Sequence, residues 1–497
     1  MFARTCPGDS GTTWWIDRGC SRSYRAGEAR AGEGGAARRG AGLRQCAAHR
    51  TGSSALARID QTPFEAVILG LGPDGRGITR RPEGHPHAEK TVFIAGALPG
   101  ERVLARQTRR CRRFDEAEVL EVIDASPDRV QPRCPHFGVC GACSLQHLAP
   151  ARQVAGKARM LADCFAQAGV RAETELPPLA GALFGYRRKG RLSVRRVEKK
   201  GRTLVGFRER DARFVAELVE CHSVVPQVGM QLGALSALVD GLDARSAIPQ
   251  IEFSAGDDAT ALVFRHLEPL GEGDRAALTA FAQHHGFAIY LQPGGLETIA
   301  PLWPAAPRLS FRLAPWDVEL AFEPLDFIQV NGDLNGKMIA HALELLDVQP
   351  GDRVLDLFCG LGNFSLPLGR QASEVVGVEG DAGLVERARA NAARNDMDHV
   401  QFHVADLATD LSAQPWMGAG FDLLLLDPAR AGALEVLQQL PLQGLRRIVY
   451  VSCNPETLAR DAAYLVGERG WRMPAAGVMD MFPHTAHVES IAVFEPA

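Results

Sequence analysis

The C-terminal third of the chain alternates between short apolar, β-branched runs and longer amphipathic segments. A helical period over residues 335–346 predicts an amphipathic helix. Apolar runs predict five strands, at residues 354–358, 375–379, 400–404, 423–427 and 448–452. Strands that alternate with helices predict an open α/β sheet of the doubly wound, Rossmann-like kind from residue 326 to residue 497.

Residues 60–124 show a different pattern, in which short runs at 64–69, 91–94, 101–105 and 117–122 are separated by Gly and Pro turns. This spacing predicts a small β-barrel. Residues 106–114 between the last two runs carry five arginines and end in Phe114. Such a hairpin suits contacts with phosphates and stacking on bases, so it favours RNA binding, and a solvated hairpin is the alternative.

The remaining segments are less regular. Residues 151–169 predict a helix with an apolar stripe that contains Lys157, and residues 184–325 are rich in strand patterns. Residues 1–57 are rich in Gly, Ala, Arg and Glu and have no apolar period, which predicts a disordered extension. It is either a functionless extension translated from upstream of the natural start, which we favour, or a basic tail that contacts RNA.

Composition limits the class of protein. The chain has 497 residues, a hydrophobic content of 46% and a net charge of −4, which suggests a globular protein of about three domains. No apolar run approaches the roughly 20 residues that span a bilayer, and the start lacks the apolar stretch of a secretory signal. The 11 cysteines are unevenly spread, which favours a reducing, cytoplasmic compartment.

Three cysteines, Cys134, Cys140 and Cys143, follow the spacing C-x5-C-x2-C. In a cytosolic protein this spacing indicates a metal site, and such a site needs a fourth ligand. Cys221 is the better candidate, because its competitor Cys164 fits the apolar face of the predicted helix. Thiolates alone permit zinc or an iron–sulfur cluster, and the uneven spacing favours iron–sulfur.

A Gly-rich turn, residues 359–364, follows the strand 354–358, and the next strand ends in Glu379. An acid at that position can bind ribose hydroxyls, so an NAD-dependent enzyme is a rival interpretation. Ser365 stands where the third Gly of a dinucleotide motif would lie, and further acids, Asp406 and Asp427, follow the next strands. Repeated acids suit S-adenosylmethionine, which has no pyrophosphate to repel.

The last predicted parallel strand ends at Ser452, and Cys453, Asn454 and Pro455 follow it. Such a strand presents a thiol at its carboxyl end. A lone carboxylate, Glu489, lies downstream. A thiol, a base and a cofactor loop in one domain predict covalent group transfer.

With these motifs assembled, residues 60–497 resemble the RNA uracil-C5 methyltransferase family, and residues 327–331 match that family's entry into its catalytic domain. The similarity is greatest to the branch that methylates uracil 1939 of bacterial 23S rRNA and carries both a TRAM domain and a [4Fe-4S] cluster. The resemblance implies a TRAM-like RNA-binding barrel at 58–124, a central domain with the cluster at 125–325 and a methyltransferase domain at 326–497. The extension 1–57 has no counterpart in the family.

The resemblance also implies roles for individual residues. The cluster ligands fall on Cys134, Cys140, Cys143 and Cys221, the nucleophile on Cys453 and the general base on Glu489. The S-adenosylmethionine contacts fall on Gln329, Phe358, Asn363, Glu379, Asp406 and Asp427; some members of the family have Asn at the Asp406 position.

The implied reaction is the addition of Cys453 to C6 of uracil, methylation at C5 and removal of the C5 proton by Glu489. It predicts a half-exposed Cys453 with a lowered pKa, a base within about 3 Å of the C5 proton and a flipped uracil. Asn454 and Arg430 are weak candidates for the donor to uracil O4. The expected partner is 23S rRNA before full ribosome assembly, and the expected state is a cytoplasmic monomer. The alternatives are the same chemistry on tRNA and a noncatalytic RNA-binding iron–sulfur protein.

Overall fold

The computed structural model describes residues 61–81, 83–85 and 87–497. The predicted disorder of residues 1–57 therefore lies outside the described residues. The described chain forms two compact units, residues 61–72 with 76–125, and residues 73–75 with 126–497. The second unit continues past residue 325, so a domain boundary at that point stays a prediction.

The first unit is a six-stranded sheet in the order β1-β5-β6-β4-β3-β2. All neighbours are antiparallel except β4 and β6. Apolar side chains such as Ile68, Val92 and Val103 fill its core. The strands are β1 (Phe64–Val67), β2 (Gly70–Leu71), β3 (Gly77–Arg80), β4 (Thr91–Ala95), β5 (Arg102–Arg110) and β6 (Phe114–Asp124).

The arginine-rich hairpin differs from its prediction. Arg106 and Arg109 belong to β5, and only residues 111–113 form the turn. The antiparallel register places acids on β6 beside them, so that Arg106 pairs with Glu118 at 2.6 Å and Arg109 with Glu116 at 3.9 Å. Part of the predicted positive charge is thus balanced within the hairpin.

The second unit begins with a cysteine-bearing segment and a mixed sheet in the order β13-β12-β11-β10-β8-β9. Pro150 opens its first helix, at the position where a missing N–H costs nothing. The elements are α1 (Pro150–Gln167), β7 (Thr174–Glu175), β8 (Lys189–Val197), β9 (Arg202–Gly206), α2 (Pro226–Gly229), α3 (Leu232–Asp240), β10 (Gln250–Ala255), β11 (Thr260–Arg265), α4 (Glu272–His285), β12 (Phe287–Gln292), β13 (Ala300–Trp303), β14 (Ser310–Leu313) and β15 (Val318–Ala321).

The C-terminal part is the predicted doubly wound sheet, with eight strands in the order β18-β17-β16-β19-β20-β22-β21-β7. Strands β16 to β20 are parallel, and β22 is antiparallel to β20. The elements are α5 (Gly332–Leu346), β16 (Arg353–Leu357), α6 (Ser365–Gly369), β17 (Glu374–Glu379), α7 (Ala382–Arg394), β18 (Val400–Val404), β19 (Leu423–Leu426), α8 (Leu434–Gln439), β20 (Arg447–Ser452), α9 (Pro455–Glu468), β21 (Trp471–Met479) and β22 (Glu489–Pro496).

Both faces of this sheet are covered, which explains the continuous apolar runs of its strands. Leu423 and Leu425 pack into the core on one face, and Leu424 and Leu426 pack into the core on the other. Leu161 of α1 belongs to the second of these cores. Of the helices that the structure describes, none combines the length and the hydropathy that crossing a membrane would need.

Candidate active site and cysteine site

The strand order reverses between β16 and β19, and ligands of open α/β sheets bind at the carboxyl edge beside such a point. The predicted residues follow strands that end at this edge. Glu379 ends β17, Asp427 follows β19 and Cys453 follows β20. Strand β22 runs in the opposite direction, so its first residue, Glu489, begins at the same edge.

Strand register brings the predicted nucleophile and base together. Ser452 is paired with Ser490 in the antiparallel ladder of β20 and β22. One further step along this register places Cys453 opposite Glu489. Residues opposite each other on neighbouring strands have Cβ atoms about 4.5–5.5 Å apart. The Glu489 carboxylate also raises the pKa of Cys453.

The sequence around Cys453 explains its fixed position. The Ser452 hydroxyl donates to the carbonyl of Asn454 at 3.0 Å and accepts from the N–H of Asn454 at 3.1 Å. Asn454 then caps α9 by accepting the N–H of Glu456 at 3.1 Å, and Pro455 begins the helix. Cys453 is therefore held between a strand end and a helix start.

The predicted lowered pKa of Cys453 is wrong for the protein without ligands. Cys453 is half-buried, as predicted. Burial raises the pKa of its thiol to about 11, and the carboxylates of Glu489 and Asp427 raise it further, against an opposing effect of Arg430. A helix N-terminus favours a thiolate, but here burial and two acids outweigh it.

Burial also raises the pKa of two acids of the site, Glu489 and Asp427. Burial raises the pKa of Glu489 to about 8, with a further increase from Asp427 and decreases from Arg430 and Lys157. Burial likewise raises the pKa of Asp427 to about 7. Both carboxyl groups therefore ionise at a higher pH than exposed acids do.

The residues predicted to contact the cofactor lie in three groups. Gln329 donates from Nε2 to Oδ2 of Asp427 at 3.5 Å. Glu379 accepts from the N–H of Gly360 at 3.2 Å and from that of Gly380 at 2.7 Å, which ties it to the Gly-rich turn. Asp406 is exposed and accepts the N–H of Ala408 at 3.0 Å.

Phe358 and Asn363 flank the Gly-rich turn. Phe358 has a φ of 65°, which is rare for a bulky residue and occurs mostly at functional positions. Asn363 and Asn335 of α5 exchange two side-chain hydrogen bonds, each of 2.9 Å. Asn335 was not among the predicted site residues. An Asn on the apolar side of an amphipathic helix could have indicated a role for it.

Asp356 is a second residue to which the sequence analysis gave no role. It is fully buried within β16, where burial raises its pKa to about 7. Ser365 donates to its Oδ2 at 2.5 Å, and among the described residues its Oδ1 has no hydrogen-bond partner. An acidic residue inside the apolar run 354–358 is the sequence feature that could have indicated a role for Asp356. We interpret Asp356 as a support for the Gly-rich turn, which follows it directly.

The four cysteines of the predicted cluster line one small cavity, although Cys221 lies far from the others in sequence. Phe137 and Leu218 form part of the same lining. Two glycines shape the segment 134–143, here called the cysteine segment. Gly138 has a φ of 97°, and a Cβ at Gly141 would lie 2.9 Å from the carbonyl oxygen of Glu209.

The thiols of this cavity form no disulfides, and burial raises the pKa of three of them, Cys134, Cys140 and Cys221. Burial raises the pKa of Cys140 to about 12 and that of Cys221 to about 11. Backbone N–H groups point at both sulfurs and oppose this shift. Across residues 61–81, 83–85 and 87–497, no group of three or more His, Cys, Asp or Glu side chains has the geometry of a metal site. The ligation predicted for these cysteines therefore stays a prediction.

Comparison with known proteins gives a consistent result. The model of the tRNA (uracil-5-)-methyltransferase family matches residues 317–415 and 416–495. A 23S rRNA (uracil(1939)-C(5))-methyltransferase RlmD of Xanthomonas euvesicatoria is 62% identical over 439 residues, which are 88% of this chain and 98% of that protein. The protein of the same name from Stenotrophomonas maltophilia K279a has the same identity and coverage.

A solved structure supports the fold. The Pyrococcus abyssi tRNA (uracil-54, C5)-methyltransferase in complex with S-adenosyl-L-homocysteine superposes with a TM-score of 0.66 and 23% identity. The match covers 87% of this chain and 100% of that one, and it shows a shared Rossmann-like methyltransferase fold. The chain therefore belongs to the family of RNA uracil-C5 methyltransferases, in the group of the 23S rRNA (uracil(1939)-C(5))-methyltransferases.

Proposed function

We propose that this protein transfers a methyl group from S-adenosylmethionine to C5 of a uridine in 23S rRNA. The observation that carries the proposal is the antiparallel register of β20 and β22. It places Cys453 and Glu489 one step beyond the paired residues Ser452 and Ser490, at the edge where the Gly-rich turn follows β16. The chemistry requires a thiol and a base on one face of the same pyrimidine, and this register supplies both. The 62% identity to relatives of that name supports the choice of RNA.

We propose that the cofactor contacts Gln329, Phe358, Asn363, Glu379, Asp406 and Asp427. Bound there, S-adenosylmethionine would supply an electrophilic methyl group on a positively charged sulfur. Glu379 has the position of a ribose-binding acid, at the end of the strand that follows the Gly-rich turn. Asp427 and Gln329 already contact each other, and the charge of Asp427 acts on Cys453.

In the proposed reaction, the thiol of Cys453 gives its proton to Asp427, and the sulfur bonds to C6 of uracil. The electrons of the C5–C6 double bond move towards O4, so that C5 becomes nucleophilic and accepts the methyl group. Glu489 then removes the proton from C5, the double bond re-forms and the bond from C6 to sulfur breaks. Cys453 leaves as a thiolate and recovers its proton from Asp427, and Glu489 releases the C5 proton to solvent.

The raised pKa of Cys453 makes its thiol less reactive. Oxidation of a cysteine requires the thiolate, so a half-buried thiol with a pKa of about 11 is oxidised slowly. The guanidinium of Arg430 lowers the pKa of both Cys453 and Glu489, and it already contacts His487 at 3.0 Å. Arg430 therefore favours the charged forms of the nucleophile and the base.

We propose that the first unit is the TRAM-like barrel and that it contacts RNA. The exposed turn residues Arg112 and Arg113 lie at the tip of the hairpin, where phosphates can approach. Arg106 and Arg109 already pair with acids, so they contribute less than the sequence pattern suggests. The tRNA alternative keeps the same active site and differs only in the RNA that is recruited.

Methylation of defined RNAs tests the proposed function. We expect the purified protein to transfer a tritiated methyl group from S-adenosylmethionine to a 23S rRNA fragment containing uridine 1939, and nuclease digestion should release 5-methyluridine. The same fragment with cytidine at that position is the matched control. Methylation of tRNA and not of the fragment would favour the tRNA alternative, and methylation of neither would contradict the proposal.

We propose that Cys134, Cys140, Cys143 and Cys221 bind a [4Fe-4S] cluster. The four thiols share one cavity, and backbone N–H groups point at the sulfurs, as they do around such clusters. When bound, the cluster would hold these thiols as thiolates and join Cys221 to the cysteine segment.

Metal analysis tests this assignment. Protein purified without oxygen is expected to contain about four iron atoms and four sulfides per chain. Cys221→Ser should lose most of this iron, because one of the four ligands is removed, whereas Cys164→Ala on α1 should retain it. One zinc ion per chain, or full iron content in Cys221→Ser, would contradict the assignment.

A further inference from the structure

Lys157 is an unusual residue for the middle of a buried helix face. Its side chain is fully buried on α1, among Gln153, Leu161 and Phe165. Its ammonium donates to Oδ1 of Asp480 at 2.6 Å and to the carbonyl of Phe482 at 3.0 Å. A buried ion pair of this kind usually adds little stability compared with apolar residues of similar size. A contribution to stability therefore does not explain why a Lys–Asp pair occupies this buried position.

Asp480 connects the buried ion pair to the segment of the chain that leads into Glu489. Asp480 follows β21 and opens the segment 480–488, here called the base loop, which leads into Glu489. The ammonium of Lys157 lowers the pKa of Glu489, and the carboxylate of Glu489 raises the pKa of Lys157. Each group therefore favours the charged form of the other. The other groups whose charges or dipoles face Glu489 are Asp427, Arg430 and Cys453, from the ends of β19 and β20.

The base loop is also fixed in place by residues from the start of the second unit. Gln153 accepts the N–H of His484 at 2.9 Å, and the N–H groups of Ser144 and Leu145 both donate to the His484 carbonyl at 2.9 Å. Tyr186 donates to the carbonyl of Pro483 at 3.1 Å. These bonds hold the loop against α1 and the end of the cysteine segment, so the distance from Lys157 to Glu489 is set by the fold.

We propose that Lys157, held by Asp480, is a positioning residue whose charge keeps Glu489 able to accept the C5 proton after methyl transfer. This inference rests on the proposed function. Burial and Asp427 both favour protonated Glu489, and a protonated carboxyl cannot act as a base. The ammonium of Lys157, which Asp480 holds in place inside the protein, offsets these effects.

The test follows the covalent protein–RNA adduct in single-turnover reactions at a series of pH values. Lys157→Met combined with Asp480→Asn removes both charges and leaves no unpaired buried charge. We expect adduct formation to be retained and the pH midpoint of adduct decay to move up by about one unit, which is a tenfold slower decay at neutral pH. The matched control, Arg446→Met with Asp352→Asn, removes a bidentate pair at the opposite edge of the sheet and should leave the midpoint unchanged.

A second variant removes the same charge in another way. Asp480→Asn alone leaves the fully buried Lys157 amine without its partner, so burial favours the neutral amine and the midpoint should move up, as in the double variant. Unchanged midpoints in both variants, or equal slowing of adduct formation and decay, would show a purely structural role and overturn the proposal. Absence of any adduct in the wild-type protein would instead overturn the proposed function, and with it this inference.

Discussion

Cys453→Ala is expected to abolish methylation, with a loss of roughly 10⁴-fold or more in turnover, because the thiol of Cys359 at the same edge is buried and cannot replace it. Alanine removes the sulfur and little volume, so the capped start of α9 is retained. Binding of S-adenosylhomocysteine, measured by calorimetry, should remain close to wild type. Methyl transfer should be measured with tritiated cofactor and the adduct by denaturing electrophoresis.

Cys164→Ala is the matched control for this experiment, since it removes a half-buried thiol from α1 in the same unit. It should retain both turnover and adduct formation. Methylation by Cys453→Ala at even a tenth of the wild-type rate would refute the assignment of the nucleophile.

Glu489→Gln is expected to separate the two halves of the reaction. Glutamine keeps the shape of the buried side chain but cannot accept the C5 proton, so methyl transfer should proceed while product release slows by about 10²–10⁴-fold. The methylated RNA should therefore accumulate as a covalent complex with the protein, which denaturing electrophoresis with labelled cofactor would detect.

The matched control for this variant is Glu386→Gln, an exposed position on α7. It should release product at the wild-type rate. If Glu489→Gln released methylated RNA as fast as the wild-type protein, another group would be the base.

Much of the catalytic sheet could be predicted because its strands are buried on both faces. Apolar, β-branched runs mark such strands without ambiguity, and five of them were placed within a few residues of their observed bounds. The residue that follows each strand then lies at the carboxyl edge by topology alone. For this reason Glu379, Asp427 and Cys453 could be assigned to one edge before any coordinates.

The local sequence pattern does not show that Cys453 and Glu489 lie close together. Their proximity requires β22 to return antiparallel beside β20 in one particular register, and a shift by one residue would turn Glu489 to the other face. The resemblance to a family supplied the two roles, whereas the register supplies the physical reason for them.

Electrostatics was the least predictable part of the site. The sequence predicted a lowered pKa for Cys453 from its role, but the pKa depends on how deeply the thiol is buried and on two carboxylates that arrive from other strands. The ion pairs of Arg106 and Arg109 were hidden for a similar reason, because their acidic partners lie on the neighbouring strand, and RNA binding by this hairpin stays a prediction. Both effects arise from side chains that only the fold brings together.

In the proposed mechanism, the sulfur of Cys453 bonds to C6 of the target uracil during methyl transfer. The most direct measurement is mass spectrometry of the adduct formed with RNA that carries 5-fluorouridine at the target position, where no C5 proton can be removed. The tryptic peptide of residues 448–460 is expected to gain the mass of the fluorinated nucleotide plus one methyl group, less the hydrogen of the thiol, with fragmentation placing the adduct on Cys453. An adduct on any other residue, or methylation of the fluorinated RNA without an adduct, would contradict this mechanism.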